Sequence, residues 1–248
     1  MQYKNLTIIG SSHVASESIN KVKRTIENEK PGIVAVELDR DRLEALFNKK
    51  KRSVFIRGVG FKGALFAMFG AWIEKSIGKI VKVEPGSEMK MAVNMARKVD
   101  AKVALIDQHI TITLRRFSET ITWKEKWNFI IDIITGLFMP KKQQEMLGMK
   151  TQDLSKVPTQ EAISKILHYT KNRYPNFYNV LVEERNKVMA NNIANLMIKY
   201  PHEKIVAVVG AGHESEILKL VREKLYKHSA SKRQYARITE KAFKILSK

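Results

Sequence analysis

The chain has no cysteine. That excludes disulfides, thiolate nucleophiles and every thiolate metal site. Any metal must sit on His, Asp, Glu or backbone oxygen. The absence suits a cytosolic setting. No uninterrupted apolar stretch reaches the roughly 18 residues that span a bilayer. The first apolar run, Leu6 to Ile9, is too short for a secretory signal and has no small-residue cleavage site after it. Several chemical signatures are also missing: a GxxxxGK[ST] phosphate loop, a GxSxG elbow, HExxH, and a dinucleotide fingerprint at Gly10-Ser11-Ser12-His13. No tandem repeat, low-complexity tract or standard nucleic-acid motif is present.

Acidic residues are outnumbered, 25 against 45 Lys and Arg, for a formal charge of +20. Such a charge attracts nucleic acid, membrane headgroups or acidic partners. A lysine-rich surface that only confers solubility reads the same way. Without a nucleic-acid motif, nucleic acid is the weakest of these partners. The remaining composition, 44% apolar and 28% charged over 248 residues, is that of a globular protein with a real core.

Four short apolar runs read as strands: Leu6 to Ile9, Ile33 to Val36, Lys102 to Ile106 and Lys204 to Val209. Helical patterns separate them, at about 15–29, from Asp39 to about Phe47, and from Pro85-Gly86 to about Val99. Residues 110 to about 200 read as mostly helical, with a long amphipathic helix from about Asn176 to Tyr200. A last helix runs from His213 to about Tyr226, before a basic tail. The strand–helix alternation predicts right-handed parallel pairing of the first two strands. The expected fold is therefore α/β: a mainly parallel central sheet of at least four strands, flanked by helices, with a large helical insertion at about 110–200. Residues 1–227 form one domain in this reading, and 228–248 a basic helix or tail. The segment 63–73 is apolar nearly all round. It reads equally as a buried helix or as one that packs on a partner subunit, a membrane face or an apolar substrate, and a homo-oligomer is expected from it.

The strands share a further property. Each ends in residues able to do chemistry, and in open parallel sheets ligands bind at the carboxyl ends of the strands. The ends are Gly10-Ser11-Ser12-His13, Glu37-Leu38-Asp39, Asp107-Gln108-His109 and Gly210-Ala211-Gly212-His213. A lone GxxH says almost nothing, but two copies directly after apolar strands say more. Two imidazoles and a carboxylate form a plausible first shell for a divalent metal with open positions for water. The candidate trio is His13, Glu37 and His213. Each histidine could instead cap its helix, and Glu37 could pair with Arg40 or Arg42. His109 is a weaker candidate, and His168, His202 and His228 read as surface residues. Arg115 and Arg185, on Thr113-Leu114-Arg115-Arg116 and Glu183-Glu184-Arg185-Asn186, could hold a substrate, support Glu37, or form an internal pair such as Glu184 with Arg115. Glu88 sits in a helix first turn, where the dipole favours a carboxylate without any function.

The ordered set GSSHVASES, VAVELDRDRLEAL, PGSEMKMAV, ALIDQHITITLRR, VEERNKVMA and VVGAGHESEI resembles the TraB/PrgY family over about residues 6 to 220. That family includes proteins linked to shutdown of a peptide sex pheromone. It is grouped with Tiki metalloproteases and with erythromycin-esterase-like and ChaN-like proteins. The resemblance implies metal-dependent hydrolysis, most readily of a peptide bond, by two GX2H motifs and a glutamate. Carried onto this chain, these are His13, Glu37 and His213, with Mn or Co favoured and Zn an alternative. Arg115, Arg116, Glu184 and Arg185 match the family's arginine-bearing blocks. One departure is Asp107-Gln108, where an Asp-Arg pair is expected. Many relatives continue into membrane-spanning helices, whereas this chain reaches Lys248 without one. The implied setting is cytoplasmic or peripheral to the inner membrane face, with membrane-surface contact open to the basic tail. The competing expectation is a non-catalytic peptide- or pheromone-binding regulatory protein.

Overall fold

The computed structural model describes residues 1–11, 16–48, 86–138 and 160–246. His13 and the apolar segment 63–73 lie outside the described residues.

Counted over the described residues, the chain runs β1 (Gln2–Tyr3), β2 (Leu6–Ser11), α1 (Ser16–Glu29), β3 (Ile33–Val36) and α2 (Arg40–Phe47). Next come α3 (Ser87–Lys98), β4 (Lys102–Leu105), α4 (Ile110–Thr120) and α5 (Trp123–Phe138). The last part is α6 (Gln160–Arg173), α7 (Pro175–Tyr178), a π-helical segment (Asn179–Glu184), α8 (Arg185–Lys199), β5 (Ile205–Gly210) and α9 (Glu214–Leu246). The chain is thus α/β, and the described residues between β4 and β5 are largely helical.

The five strands lie in the order β1-β2-β5-β3-β4, parallel except for the short edge strand β1. The first two apolar strands therefore do not pair with each other as the alternation predicts. The C-terminal β5 separates them, with Ile8 opposite Ala207 on one side and Ala35 opposite Ala207 on the other. The reason is burial. Every residue of β5 is buried, and so apolar a strand gains most from a neighbour on each edge.

The two faces of the sheet carry separate cores. Leu6, Ile8, Ala35, Ala207 and Val209 pack against Met189, Ile193 and Met197 of α8 and Ile217 and Val221 of α9. Ile9, Val34, Val36, Val206 and Val208 pack against Val22 and Ile26 of α1 and Met89, Ala92 and Val93 of α3. Each fully buried aliphatic side chain stabilises such a core by about 1.5–3 kcal/mol relative to exposure. Asp39 caps α2, its Oδ1 accepting the Arg42 N–H at 2.8 Å. The last helix does not stop near Tyr226. It continues to Leu246, and no Pro or Gly interrupts it.

Candidate functional site

Strand register brings the chemical residues to one edge. Val36 lies opposite both Val208 and Leu105, and Ser11 lies opposite Gly210. The ladder continues one step past β3, where the Glu37 N–H donates to Val208 O at 3.1 Å. Glu37, Asp107 and the β5 turn that carries His213 therefore sit side by side.

Glu37 is buried, and both its oxygens are bonded. Oε2 accepts the Gly210 N–H at 2.6 Å. Oε1 pairs with the Arg185 guanidinium and lies 3.6 Å from His213 Nε2. The far side of that imidazole meets α8: Nδ1 is 2.6 Å from Asn186 Oδ1. An amide oxygen only accepts, so Nδ1 carries the proton. The other ring nitrogen, Nε2, faces Glu37.

Arg185 is the hinge of the cluster. Its Nε donates to Asp107 Oδ1 at 3.1 Å and its Nη1 to Leu181 O at 3.2 Å, while Nη2 serves Glu37 and Asp107. Burial works to lower its pKa, but the charges of Glu37 and Asp107 outweigh this and raise it. Leu181 belongs to the π-helical segment just before α8, an irregularity common beside functional residues. A second guanidinium extends the network. Arg42 Nη2 donates to Asp107 Oδ2 at 2.6 Å and to Gln108 O at 3.2 Å, and its Nε donates to Asp39 Oδ2 at 3.0 Å. Asp39 also accepts the Ile110 N–H at 2.7 Å. The result is an alternating chain: Asp39, Arg42, Asp107, Arg185, Glu37. Its members are three carboxylates and two guanidiniums, with His213 beside Glu37.

Not all the expected residues meet there. Glu37, His213 and Arg185 do. His13 lies outside the described residues. Arg115 is exposed and pairs with Glu119 one turn along α4, so it does not join the cluster. Arg116 makes the link to Glu184 instead, at 2.8 Å. Adjacent helical residues point about 100° apart, which is why only one of the two arginines turns inward. Glu37 pairs with Arg185, not with Arg40 or Arg42. Asp107 does receive a basic contact, but from Arg42 and Arg185, not from the next residue in sequence. His109 caps α4 at the surface, with its Nε2 3.2 Å from Asp41. His168, His202 and His228 are exposed. Glu88 is buried in the first turn of α3. Asn186 was missed as an orienting residue. Its only sequence signal is an amide beside Arg185 on a helix that is otherwise apolar on its inner face.

The donor set around Glu37 and His213 suits a divalent cation. An imidazole nitrogen and a carboxylate oxygen converge, and the imidazole is oriented from behind by an amide oxygen. Among the described residues, no group of three or more His, Asp or Glu could hold a metal. Glu37 and His213 are two candidate donors among the described residues, and His13 lies outside them. An open cleft of about 810 Å³ lies elsewhere, lined by Glu125 and Asn128 of α5 and His168 and Arg173 of α6.

Comparison with known proteins returns a match to the TraB/PrgY/gumN family model over residues 2–230. An uncharacterized protein of Methanocaldococcus jannaschii is 31% identical over 223 residues. The alignment covers 88% of this chain and 54% of the relative, so the chain spans about half the length of the curated relative it matches.

Proposed function

The chain belongs to the TraB/PrgY/gumN family, and from that premise we propose that it is a metal-dependent hydrolase acting on peptide bonds. The observation that carries this reading is the Glu37–His213 pair. It sits at the carboxyl ends of neighbouring parallel strands, with the imidazole tautomer set by Asn186. Glu37 and His213 would hold the metal together with His13. A divalent ion, when bound, supplies Lewis acidity toward a carbonyl.

The chain's own residues prepare the site. Arg185 and the Gly210 N–H fix the Glu37 carboxylate in one orientation. A carboxylate oxygen offers two lone pairs, and the proposed role of Glu37 is to bind a cation or take a proton from water while so held. The Arg185 donors go to Glu37, Asp107 and Leu181. Its proposed role is therefore to position Glu37, not to contact substrate.

The test is incubation of metal-loaded protein with a mixed peptide pool, read by mass spectrometry, for the wild type, Glu37→Gln and His213→Ala. Cleavage that both substitutions abolish is expected. Cleavage at full rate in both variants would overturn the proposal. So would tight peptide binding by calorimetry with no cleavage, which is the outcome a non-catalytic binding protein gives.

A further inference from the structure

Helix α5 is inverted. An amphipathic helix on a globular protein normally buries its apolar stripe and shows its polar face to water. In α5 the inner stripe carries two bonded carboxylates, Glu125 and Asp132, beside Phe129. Glu125 is buried and accepts the Thr122 N–H at 3.0 Å, the Asn176 N–H at 2.8 Å and the Phe177 N–H at 3.2 Å. Asp132 accepts from Arg173 Nε at 2.8 Å and is also bonded by Tyr174 and Tyr169. Phe129 stacks on Tyr174 with ring centroids 4.3 Å apart. These contacts fix the rotation of the helix.

The outer stripe is the apolar one. Trp123, Trp127, Ile130 and Ile131 fall at positions i, i+4, i+7 and i+8, a single face. They are exposed by 73%, 61%, 46% and 51%. Lysines flank the stripe: Lys124, and Lys126, whose Nζ lies 4.4 Å from the Trp123 ring centroid. The helix has 16 residues, about 24 Å of length. Among the described residues no helix is long and apolar enough to cross a membrane.

We propose that α5 is a membrane-docking face, which lays Trp123, Trp127, Ile130 and Ile131 into the interfacial zone of an anionic bilayer. Charge selects this occupant. Two copies joined through the same stripe would bring their Lys124 and Lys126 rims together on chains of charge +20. An anionic headgroup layer takes those same lysines favourably. Tryptophan also suits the headgroup boundary, because its ring is apolar and its N–H is a donor. The helix lies on the bilayer and does not span it. The proposal is independent of any chemistry at Glu37.

The test is vesicle flotation with phosphatidylcholine alone and with phosphatidylcholine mixed with phosphatidylglycerol. Three proteins are compared: the wild type, Trp123→Glu with Trp127→Glu, and Lys124→Glu with Lys126→Glu. Trp123, Trp127 and Lys124 are exposed and Lys126 is partly exposed. The wild type is expected to float with the anionic vesicles. The tryptophan variant should lose at least about tenfold in partitioning, since the apolar area that enters the bilayer is removed. Removing each lysine charge should cost about a further fivefold on anionic vesicles, before any repulsion by the new glutamates. Unchanged binding in the tryptophan variant overturns the proposal, as does equal wild-type binding to both vesicle types. So does a wild type that ignores vesicles but forms dimers the tryptophan substitutions abolish.

Discussion

Asn186 Oδ1 lies 2.6 Å from His213 Nδ1. One helix thus holds both positioning groups, because Arg185 beside it holds Glu37. Replacing Asn186 by leucine keeps the volume and removes the acceptor. Metal affinity at His213 is then expected to fall about 10- to 100-fold, the usual effect of losing the group behind a ligating histidine. Asn186→Asp keeps an acceptor and should retain most of the affinity. Titration with Mn or Co, followed by calorimetry, separates the two variants. Equal affinities would show that the amide does not orient the ring.

Arg185 bridges two buried carboxylates, Glu37 and Asp107. Arg185→Met removes the bridge and leaves both partners buried, although Asp107 retains Arg42. The expected loss is about 3–5 kcal/mol in urea unfolding, the cost of breaking a buried pair from one side. Arg185→Lys should recover only part of it, since an ammonium cannot serve Asp107, Glu37 and the Leu181 carbonyl from one planar fork. Full recovery with lysine would mean that charge alone matters there.

Two glycines give a contrast. A Cβ on Gly10 would overlap Glu214 Oε2 and lie 3.2 Å from Ala211 Cα, whereas a Cβ on Gly32 would overlap the carboxylate of Glu203. Glu214 is buried and Glu203 is exposed, so only Glu203 can swing into water. Gly10→Ala is expected to cost about 1–3 kcal/mol, and Gly32→Ala to be nearly neutral. Thermal unfolding of the two variants decides. A larger loss for Gly32→Ala would contradict the packing described at the end of β2.

Glu125 links α5 to the acidity of the medium. Burial acts to raise its pKa, but the bonds from Thr122, Asn176 and Phe177 outweigh that and hold it below its ordinary 4.5. A depressed carboxylate stabilises the fold above its unfolded pKa and loses that contribution as pH falls through the folded one. The melting-temperature gap between wild type and Glu125→Gln should therefore be constant from neutral pH down to about 4.5, then close in more acid solution. A gap that stays open below that range would show that the charge of Glu125 is not what holds α5.

Much of this was legible from residues alone. Short β-branched runs gave the strands, the Asp39 cap gave α2, and the strand ends pointed to Glu37 and His213. Strand order was not legible, because nothing local in Ile205–Gly210 says that it inserts between β2 and β3. Nor was the choice of Arg116 over Arg115, which depends on how α4 is rotated against Glu184. The orientation of α5 was hidden for the same kind of reason. Its pattern is amphipathic either way, and the groups that draw Glu125 and Asp132 inward come from residues 169–177, far along the chain.

The proposed function requires Glu37 and His213 to hold a divalent metal. Its most direct test is metal content, measured by mass spectrometry on protein purified without a metal-affinity tag, then loaded with Mn, Co or Zn and desalted. About one tightly held ion per chain is expected in the wild type, and its loss in Glu37→Gln and His213→Ala. Equal metal content in all three proteins, or no uptake by the wild type under any loading, would contradict it.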